Sequence, residues 1–160
     1  EVRDIPENRL EDPIWKMSGH TDRGRDGCRV PIPWTKDAAG AHGFSNDKNL
    51  KIDQAWLPQS AGWGESAADT QQGVAGSFFE MVKTALAIRK AESGLGDGQM
   101  DWIEVSDDVI AFQRPGKFAC YVNLGKSDAV IPYGSEVLLA SSELKGEHIP
   151  TDTAVWLRLP

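Results

Sequence analysis

Proline and glycine interrupt the first 73 residues so often that no long helix or strand is expected there. Prolines stand at positions 6, 13, 31, 33 and 58, with glycines between them. Both residue types end regular elements. Irregular segments longer than about 15 residues are uncommon in a compact domain unless they carry function or are disordered. Because apolar residues are also sparse here, we expect a functional loop region that is supported by another part of a protein.

A helix is predicted directly after this region. Apolar residues recur at helical spacing from Phe78 to Glu92. Ser77 and Glu80 fit a capping box at its start, and Gly94 marks its end. The apolar stripe consists of Phe78, Met81, Val82, Ala85, Leu86 and Ile88.

Apolar and polar residues alternate from about Met100 onward, which predicts antiparallel β structure. The predicted strands are 100–105, 109–114, 117–124, 129–131, 136–140 and 153–159. The third of these has the alternation of a half-buried strand. Trp102 and Trp156 fall within strand patterns and are expected in the core. Short, evenly spaced strands are typical of a β-sandwich.

Composition excludes several classes of function. The net charge of −7 and the isoelectric point near 4.9 argue against a nucleic-acid partner, because phosphate binding requires clustered lysine and arginine. No apolar run approaches the ~18 residues of a membrane span, so we expect a soluble protein without a membrane partner. The two cysteines favour a reducing, cytoplasmic setting, although a bridge between Cys28 and Cys120 stays open. The scattered histidines do not predict zinc, and no cofactor is expected.

The segment from Gly24 to Trp34 has the composition of a sugar-binding loop. It places Arg25, Asp26, Arg29 and Trp34 on a backbone bent by glycines and prolines. An arginine fork can hold two adjacent hydroxyls, and a tryptophan face packs against the apolar face of a sugar ring. These residues therefore favour polyol recognition.

The same segment resembles the Arg-Asp-x-x-Arg-x-Pro-x-x-Trp stretch of α-glucosidases and oligo-1,6-glucosidases in the α-amylase family of glycoside hydrolases. The matching residues are Arg25, Asp26, Arg29, Pro31 and Trp34. Similar flanking segments at residues 11–15, 43–44, 56–58 and 152–157 extend the resemblance over nearly the whole chain. Many members have Thr-Pro-Met-Gln-Trp where this chain has Val-Pro-Ile-Pro-Trp, so the preference for α-1,6 or α-1,4 linkages stays open.

The resemblance implies an α+β fragment with two parts. Residues 1–96 would be the loop-rich C-terminal end of a catalytic (β/α)8 barrel, with its last active-site loop and last helix. Residues 97–160 would form a small antiparallel β-sandwich domain. In the family, the first arginine of the motif binds the non-reducing glucose, which implies that role for Arg25. Arg29 is the second expected substrate-binding residue, and the secondary candidates are Asp26, Trp34 and Phe44.

The motifs that carry the family's catalytic carboxylates do not occur in this sequence. We therefore expect no catalytic residue and no metal ligand in the chain. It is expected to be the C-terminal portion of a retaining α-glucosidase that removes terminal α-linked glucose from short oligosaccharides, and to be inactive alone. Its expected partners are the upstream catalytic barrel and a glucose-containing oligosaccharide. The start at Glu1, without methionine or a signal-peptide core, fits an excised piece. Without a barrel, the helix stripe would favour self-association.

Each candidate also has a structural interpretation. Arg25 and Arg29 can brace a turn through neighbouring carboxylates, and Asp26 can orient an arginine. Trp34 and Phe44 can anchor the loop to a core. For the whole chain, the alternative is a non-catalytic β-sandwich that binds carbohydrate or protein. The aromatic residues available for that surface, mostly expected to be buried, are Trp102, Tyr121, Tyr133 and Trp156.

Overall fold

Short turns and single helical turns make up the chain before the long helix, as its prolines and glycines predict. The structure is a computed structural model that describes residues 2–160. The short α-helices are Pro13–Met17 and Ala68–Gln71, and 3-10 helices lie at Glu7–Arg9, Asp26–Cys28 and Ala61–Ser66. The segment Ala39–Gly43 also coils, but in the left-handed sense. No strand occurs among residues 2–79.

This first unit of the chain ends at Phe79 and has a small apolar core of its own. The core consists of Val2, Ile5, Leu10 and Leu57, with Trp15, Val30 and Trp63 packed against it. The side chain of Gln59 is buried and donates from Nε2 to the carbonyls of Pro31 and Ala41, both at 3.0 Å. The irregular backbone is therefore held by a few buried side chains that are far apart in sequence.

The second unit comprises Glu80–Pro160. The division falls near the start of the long helix, and the expected domain boundary between residues 96 and 97 stays a prediction. The helix runs from Phe78 to Ala91 and confirms the helical prediction. None of its residues is buried, and Phe78, Val82 and Leu86 of the stripe are exposed. Beyond the helix, the backbone of Gly94 lies so close to the Pro115 carbonyl that a Cβ atom would meet it at 1.8 Å, which explains this glycine.

The β region contains seven strands: β1 (Asp101–Trp102), β2 (Val109–Arg114), β3 (Phe118–Asn123), β4 (Ala129–Val130), β5 (Glu136–Ala140), β6 (His148–Ile149) and β7 (Thr153–Arg158). They form a five-stranded antiparallel sheet with the order β1-β2-β3-β7-β5 and a two-stranded sheet of β4 and β6. Five predicted strands are confirmed almost to the residue. The first is much shorter than predicted, and β6 was not predicted. The β-sandwich class stays a prediction.

The core of this unit lies on one face of the larger sheet. It contains Ala111, Ala119, Tyr121, Val155 and Leu157, together with Ile131 and Ile149 beside and within the smaller sheet. The prediction that β3 is half-buried is wrong, because Phe118 and Cys120 on the opposite face are buried as well. The cause is the central position of β3, between β2 and β7, and the edge-on contact of Phe118 with Trp156 at 5.5 Å.

The expectation of a core position is wrong for Trp102, whose side chain is 68% exposed. It lies on β1, a two-residue strand at the edge of the sheet, where the ring of Phe112 packs edge-on against it. Trp156 is half-buried and Tyr133 is exposed, so Tyr121 alone of the four aromatic candidates is buried. The expectation that most of them are buried is therefore also wrong.

Candidate substrate-binding site

The carboxylate of Asp26 organises the loop that carries Arg25. This side chain is 1% exposed, and its Oδ2 accepts hydrogen bonds from the backbone amides of Glu11 at 2.7 Å and Asp12 at 2.8 Å. Its Oδ1 accepts from Nη1 of Arg29 at 3.1 Å. Asp26 therefore connects its own 3-10 turn to the segment before Pro13 and orients Arg29. These contacts agree with the structural interpretation of Asp26 given above.

Asp12 is a second organising carboxylate, and sequence reasoning missed it. Its Oδ1 caps the helix Pro13–Met17 by accepting from the Ile14 amide at 3.1 Å. Its Oδ2 accepts from the Arg25 amide at 3.0 Å and from Arg29 Nη1 at 2.9 Å. The Asp-Pro pair was a usable signal, because aspartate at the N-cap followed by proline marks a helix start.

The charge state of Asp12 follows from these contacts. The backbone amide of Arg25, then that of Ile14 and the Arg29 guanidinium, lower the pKa of Asp12 below its ordinary value. Hydrogen bonds to the charged form favour ionisation of a carboxyl group. Asp12 is therefore anionic at neutral pH and can hold Arg25 and Arg29 at the same time.

Arg29 is engaged by both carboxylates. Its Nη1 lies 2.9 Å from Asp12 Oδ2 and 3.1 Å from Asp26 Oδ1. The hydrogen bonds to Asp12 and Asp26 raise the pKa of the Arg29 guanidinium above its ordinary value. The guanidinium thus braces the loop, and its expected contact with a substrate stays a prediction.

The Arg25 side chain is different, because it is exposed while its backbone is fixed. Its amide donates to Asp12, and its carbonyl accepts from the Cys28 amide at 3.0 Å. None of the ion pairs within residues 2–160 involves its guanidinium. The bracing interpretation required Asp22 or Asp26, but Asp22 accepts from the Gly24 amide at 2.9 Å and Asp26 binds the groups described above. The donor fork of Arg25 is available to a ligand.

Arg25 lines an open depression of about 570 Å³. The other lining residues are Asp12, Pro13, Ile14, Met17, Asp22, Gly24 and Arg29. Gly24 has a φ of +65°, and a Cβ atom there would lie 2.5 Å from Asp12 Cγ and from Ile14 Cγ2, so only glycine fits. The depression combines guanidinium donors, carboxylate acceptors and apolar surface, which are the groups that a sugar ring requires.

Trp34 and Phe44 do not line this depression. Their side chains are 52% and 56% exposed, so they do not anchor the loop in a core. The Trp34 amide donates to the carbonyl of His42 at 2.8 Å, two residues before Phe44. The structure therefore gathers Arg25, Asp26 and Arg29 in one place and leaves the two aromatic candidates at the ends of a neighbouring loop.

Residues 2–160 hold no group of three or more histidine, cysteine or acidic side chains that could bind a metal ion. Over the same residues, no helix has the length and apolar character needed to cross a membrane. Both cysteines are free thiols.

Comparison with curated proteins finds related sequences, although no family model matches the chain. The chain is 30% identical over 123 residues to a probable alpha-glucosidase of Rhizobium meliloti (strain 1021), a match that covers 75% of this chain and 21% of that protein. It is 25% identical over 153 residues to a glucan 1,6-alpha-glucosidase of Streptococcus dysgalactiae subsp. equisimilis, covering 89% and 27%. The chain therefore spans about a quarter of the length of these relatives.

Solved structures also match most of this chain while it covers only about a third or less of their length. An alpha-glucosyl transfer enzyme, XgtA, superimposes with a TM-score of 0.70 at 27% identity, over 96% of this chain and 30% of that one. The trehalulose synthase MutB from Pseudomonas mesoacidophila MX-45 gives a TM-score of 0.64 at 21% identity, over 85% and 26%, and at that identity it shows the fold alone. The first of these matches extends across both units of the chain.

Proposed function

Since the chain belongs to the α-amylase family of glycoside hydrolases, we propose that it is the C-terminal portion of a retaining α-glucosidase. The complete enzyme would hydrolyse a terminal α-linked glucose from short oligosaccharides through a covalent glucosyl intermediate. The catalytic carboxylates would belong to the upstream barrel, and the chain alone would be inactive. Its own contribution is to bind and orient the terminal glucose.

The observation that carries the proposal is the exposed guanidinium of Arg25 on a backbone that other residues hold fixed. Asp12 fixes the Arg25 amide, and Asp26 with Arg29 fixes the turn that follows. With the backbone fixed, only the side-chain rotations of Arg25 are lost when its planar guanidinium binds adjacent hydroxyls. Arg25 would donate to two hydroxyls of the terminal glucose, and the carboxylates of the depression would accept from others.

The names of the relatives support glucosyl chemistry. One curated relative is a probable alpha-glucosidase, another is a glucan 1,6-alpha-glucosidase, and XgtA is an alpha-glucosyl transfer enzyme. The glucan 1,6-alpha-glucosidase favours an oligo-1,6-glucosidase as the finer assignment. The match to XgtA over 96% of the chain favours an enzyme portion over a separate binding module, because it includes the loop-rich first unit as well as the β region.

Three finer proposals accompany this function. A β-sandwich is supported by the apolar core that the two sheets share. A cytoplasmic setting is supported by the two free thiols. Self-association of the isolated chain is supported by the exposed side chains of Phe78, Val82 and Leu86 on one helix stripe.

The test compares the 160-residue chain with the complete enzyme, using p-nitrophenyl α-glucoside and isomaltose. We expect glucose release by the complete enzyme only. There, Arg25→Ala should lower kcat/KM for isomaltose about 100-fold, because charge-assisted hydrogen bonds to the substrate are lost. Arg3→Ala is the matched control, since Arg3 is exposed and lies outside the Arg25 depression. Unchanged kcat/KM in Arg25→Ala would refute the role of Arg25. Activity of the short chain would place a catalytic carboxylate within it.

A further inference from the structure

The loop of residues 34–44 is a constrained segment of the first unit that the proposed function does not use. We propose that it forms an aromatic wall for the sugar unit next to the terminal glucose, and that His42 is the positioning residue of this wall. The inference rests on the proposed function, because it takes Arg25 to hold the terminal glucose. It adds a contact that would make the enzyme prefer oligosaccharides over simple glucosides.

The backbone of the loop turns in the left-handed sense over four successive residues. The φ angle is 65° at Gly40, 53° at Ala41, 54° at His42 and 75° at Gly43. Two of these residues have a Cβ atom, for which this region is unfavourable. Residues held in such conformations persist only where their surroundings impose them, and they concentrate at functional sites.

His42 imposes the turn through three hydrogen bonds. Its carbonyl accepts from the amides of Trp34 at 2.8 Å and Thr35 at 3.0 Å. Its Nδ1 lies 3.0 Å from the carbonyl oxygen of Thr35. Because a carbonyl can only accept, Nδ1 carries a proton and donates it to the Thr35 carbonyl. These bonds close the loop between Trp34 and His42.

Burial of the His42 ring also destabilises the folded state, because one of its nitrogens has no hydrogen-bond partner in the described residues. Its side chain is 3% exposed, and Nε2 is buried without a hydrogen-bond partner in the described part of the chain. A Cβ atom on Gly64 would come within 2.9 Å of His42 Cε1, so the ring is packed tightly on this side. A buried polar nitrogen without a partner destabilises the folded state. The unpartnered Nε2 and the left-handed backbone both destabilise this loop, which indicates that its conformation serves a function.

The loop carries two aromatic side chains, Trp34 and Phe44, that belong to neither apolar core of the described residues. Trp34 and Phe44 are more than half exposed, yet their backbones are fixed. The Trp34 carbonyl accepts from the Asp69 amide at 3.1 Å, and the Asp69 carboxylate accepts from the Lys36 amide at 2.8 Å. Exposed aromatic rings on a rigid backbone suit the apolar face of a pyranose, because little freedom is lost on contact.

A sugar is the favoured occupant because the loop is joined to the Arg25 segment. Trp34 lies nine residues after Arg25 in the same motif. The buried Gln59 amide connects the two parts, since its Nε2 donates to the carbonyls of Pro31 and Ala41 at 3.0 Å each. An oligosaccharide whose terminal glucose is held by Arg25 brings its next unit to a neighbouring surface.

The first experiment measures chain-length preference in the complete enzyme. Methyl α-glucoside offers only the terminal glucose, whereas isomaltotriose offers further units. Trp34→Ala and Phe44→Ala should each lower kcat/KM for isomaltotriose about tenfold and leave that for methyl α-glucoside within about twofold. Trp102→Ala, which removes an exposed tryptophan of the second unit, should change neither value. Equal effects of Trp34→Ala on both substrates, or no effect, would overturn the inference.

A binding experiment separates this inference from the proposed function. If the complete wild-type enzyme hydrolyses neither substrate, the proposed function fails, and the 160-residue chain is titrated with isomaltotriose by NMR. A saturable shift of the Trp34 indole N–H, assigned by its disappearance in Trp34→Ala, would support the aromatic wall. An unshifted Trp34 signal at millimolar sugar would overturn it.

The positioning role of His42 has its own test. Asparagine tolerates the left-handed region and its Nδ2 can donate to the Thr35 carbonyl, whereas valine is β-branched and has no donor. His42→Asn should therefore keep the preference for isomaltotriose over methyl α-glucoside, and His42→Val should lose it about as far as Trp34→Ala does. If the valine variant does not fold, His42→Gly replaces it in this test, because glycine tolerates the left-handed conformation but has no side-chain donor. The same preference in all variants would overturn the role.

Discussion

Removal of the Asp26 carboxylate leaves the backbone amides of Glu11 and Asp12 without their acceptor, and the exposed Arg29 guanidinium then keeps only Asp12. Asp26→Ala should lower the free energy of unfolding by about 3 kcal/mol, because two backbone donors lose their hydrogen bonds to a buried carboxylate. Asp53→Ala, at an exposed aspartate, should change it by less than about 0.5 kcal/mol. Urea unfolding midpoints give both values, and equal midpoints for the two variants would contradict the assignment.

Asp12 gives the folded state a defined pH dependence. Its pKa is lowered from 3.8 by the amides of Arg25 and Ile14 and by Arg29. A carboxyl group with a lowered pKa stabilises the folded state above its unfolded pKa, and this contribution is lost as pH falls through the folded pKa. The wild-type unfolding midpoint should therefore decrease more steeply than that of Asp12→Asn below about pH 4. Parallel profiles for the two proteins would show that Asp12 does not titrate differently on folding.

At the scale of single elements, strand β7 contributes Val155 and Leu157 to the apolar core of the second unit. Leu157 is fully buried between the residues of the apolar core, and β7 pairs with β3 and β5. Leu157→Ala should lower the free energy of unfolding by about 3 kcal/mol, through lost transfer energy and the cavity left behind. The same substitution at the exposed Leu124 is the matched control and should cost less than about 0.5 kcal/mol. Thermal or urea unfolding monitored by circular dichroism distinguishes the two.

Elements with a sustained period were predictable from sequence, whereas the two-residue strands were predicted unevenly: β4 was predicted near its bounds, β1 was predicted too long and β6 was not predicted. The helix Phe78–Ala91 and strands β2 and β5 each repeat their pattern over several residues and were predicted nearly to the residue. Strand β6 has two residues and depends on pairing with β4, so no local pattern marks it. In the site, residue types and the motif resemblance predicted Arg25 and Arg29 as substrate-binding residues, and that role stays a prediction. The role of Asp12 depends on contacts 13 and 17 residues away, and the left-handed turn depends on the packing of His42.

The whole molecule carries one thiol in each unit, in opposite environments. Cys28 is exposed in the loop after Arg25, whereas Cys120 is buried in the central strand β3. Burial raises the pKa of the Cys120 thiol, and a hydrogen bond with Trp156 only partly opposes this effect. Because the thiolate is the reactive form, the two cysteines should differ strongly in reactivity.

Titration with Ellman's reagent tests this difference on the intact protein. One thiol, Cys28, should react rapidly, and the second should react only as the β unit opens. Cys28→Ser should abolish the rapid phase and leave the slow one. Leu157→Ala should accelerate the slow phase, because it lowers the free energy needed to expose Cys120. Two rapid equivalents in the wild-type protein would mean that the face of β3 that holds Cys120 is accessible, and the burial of Phe118 beside it would then have to be rejected as well.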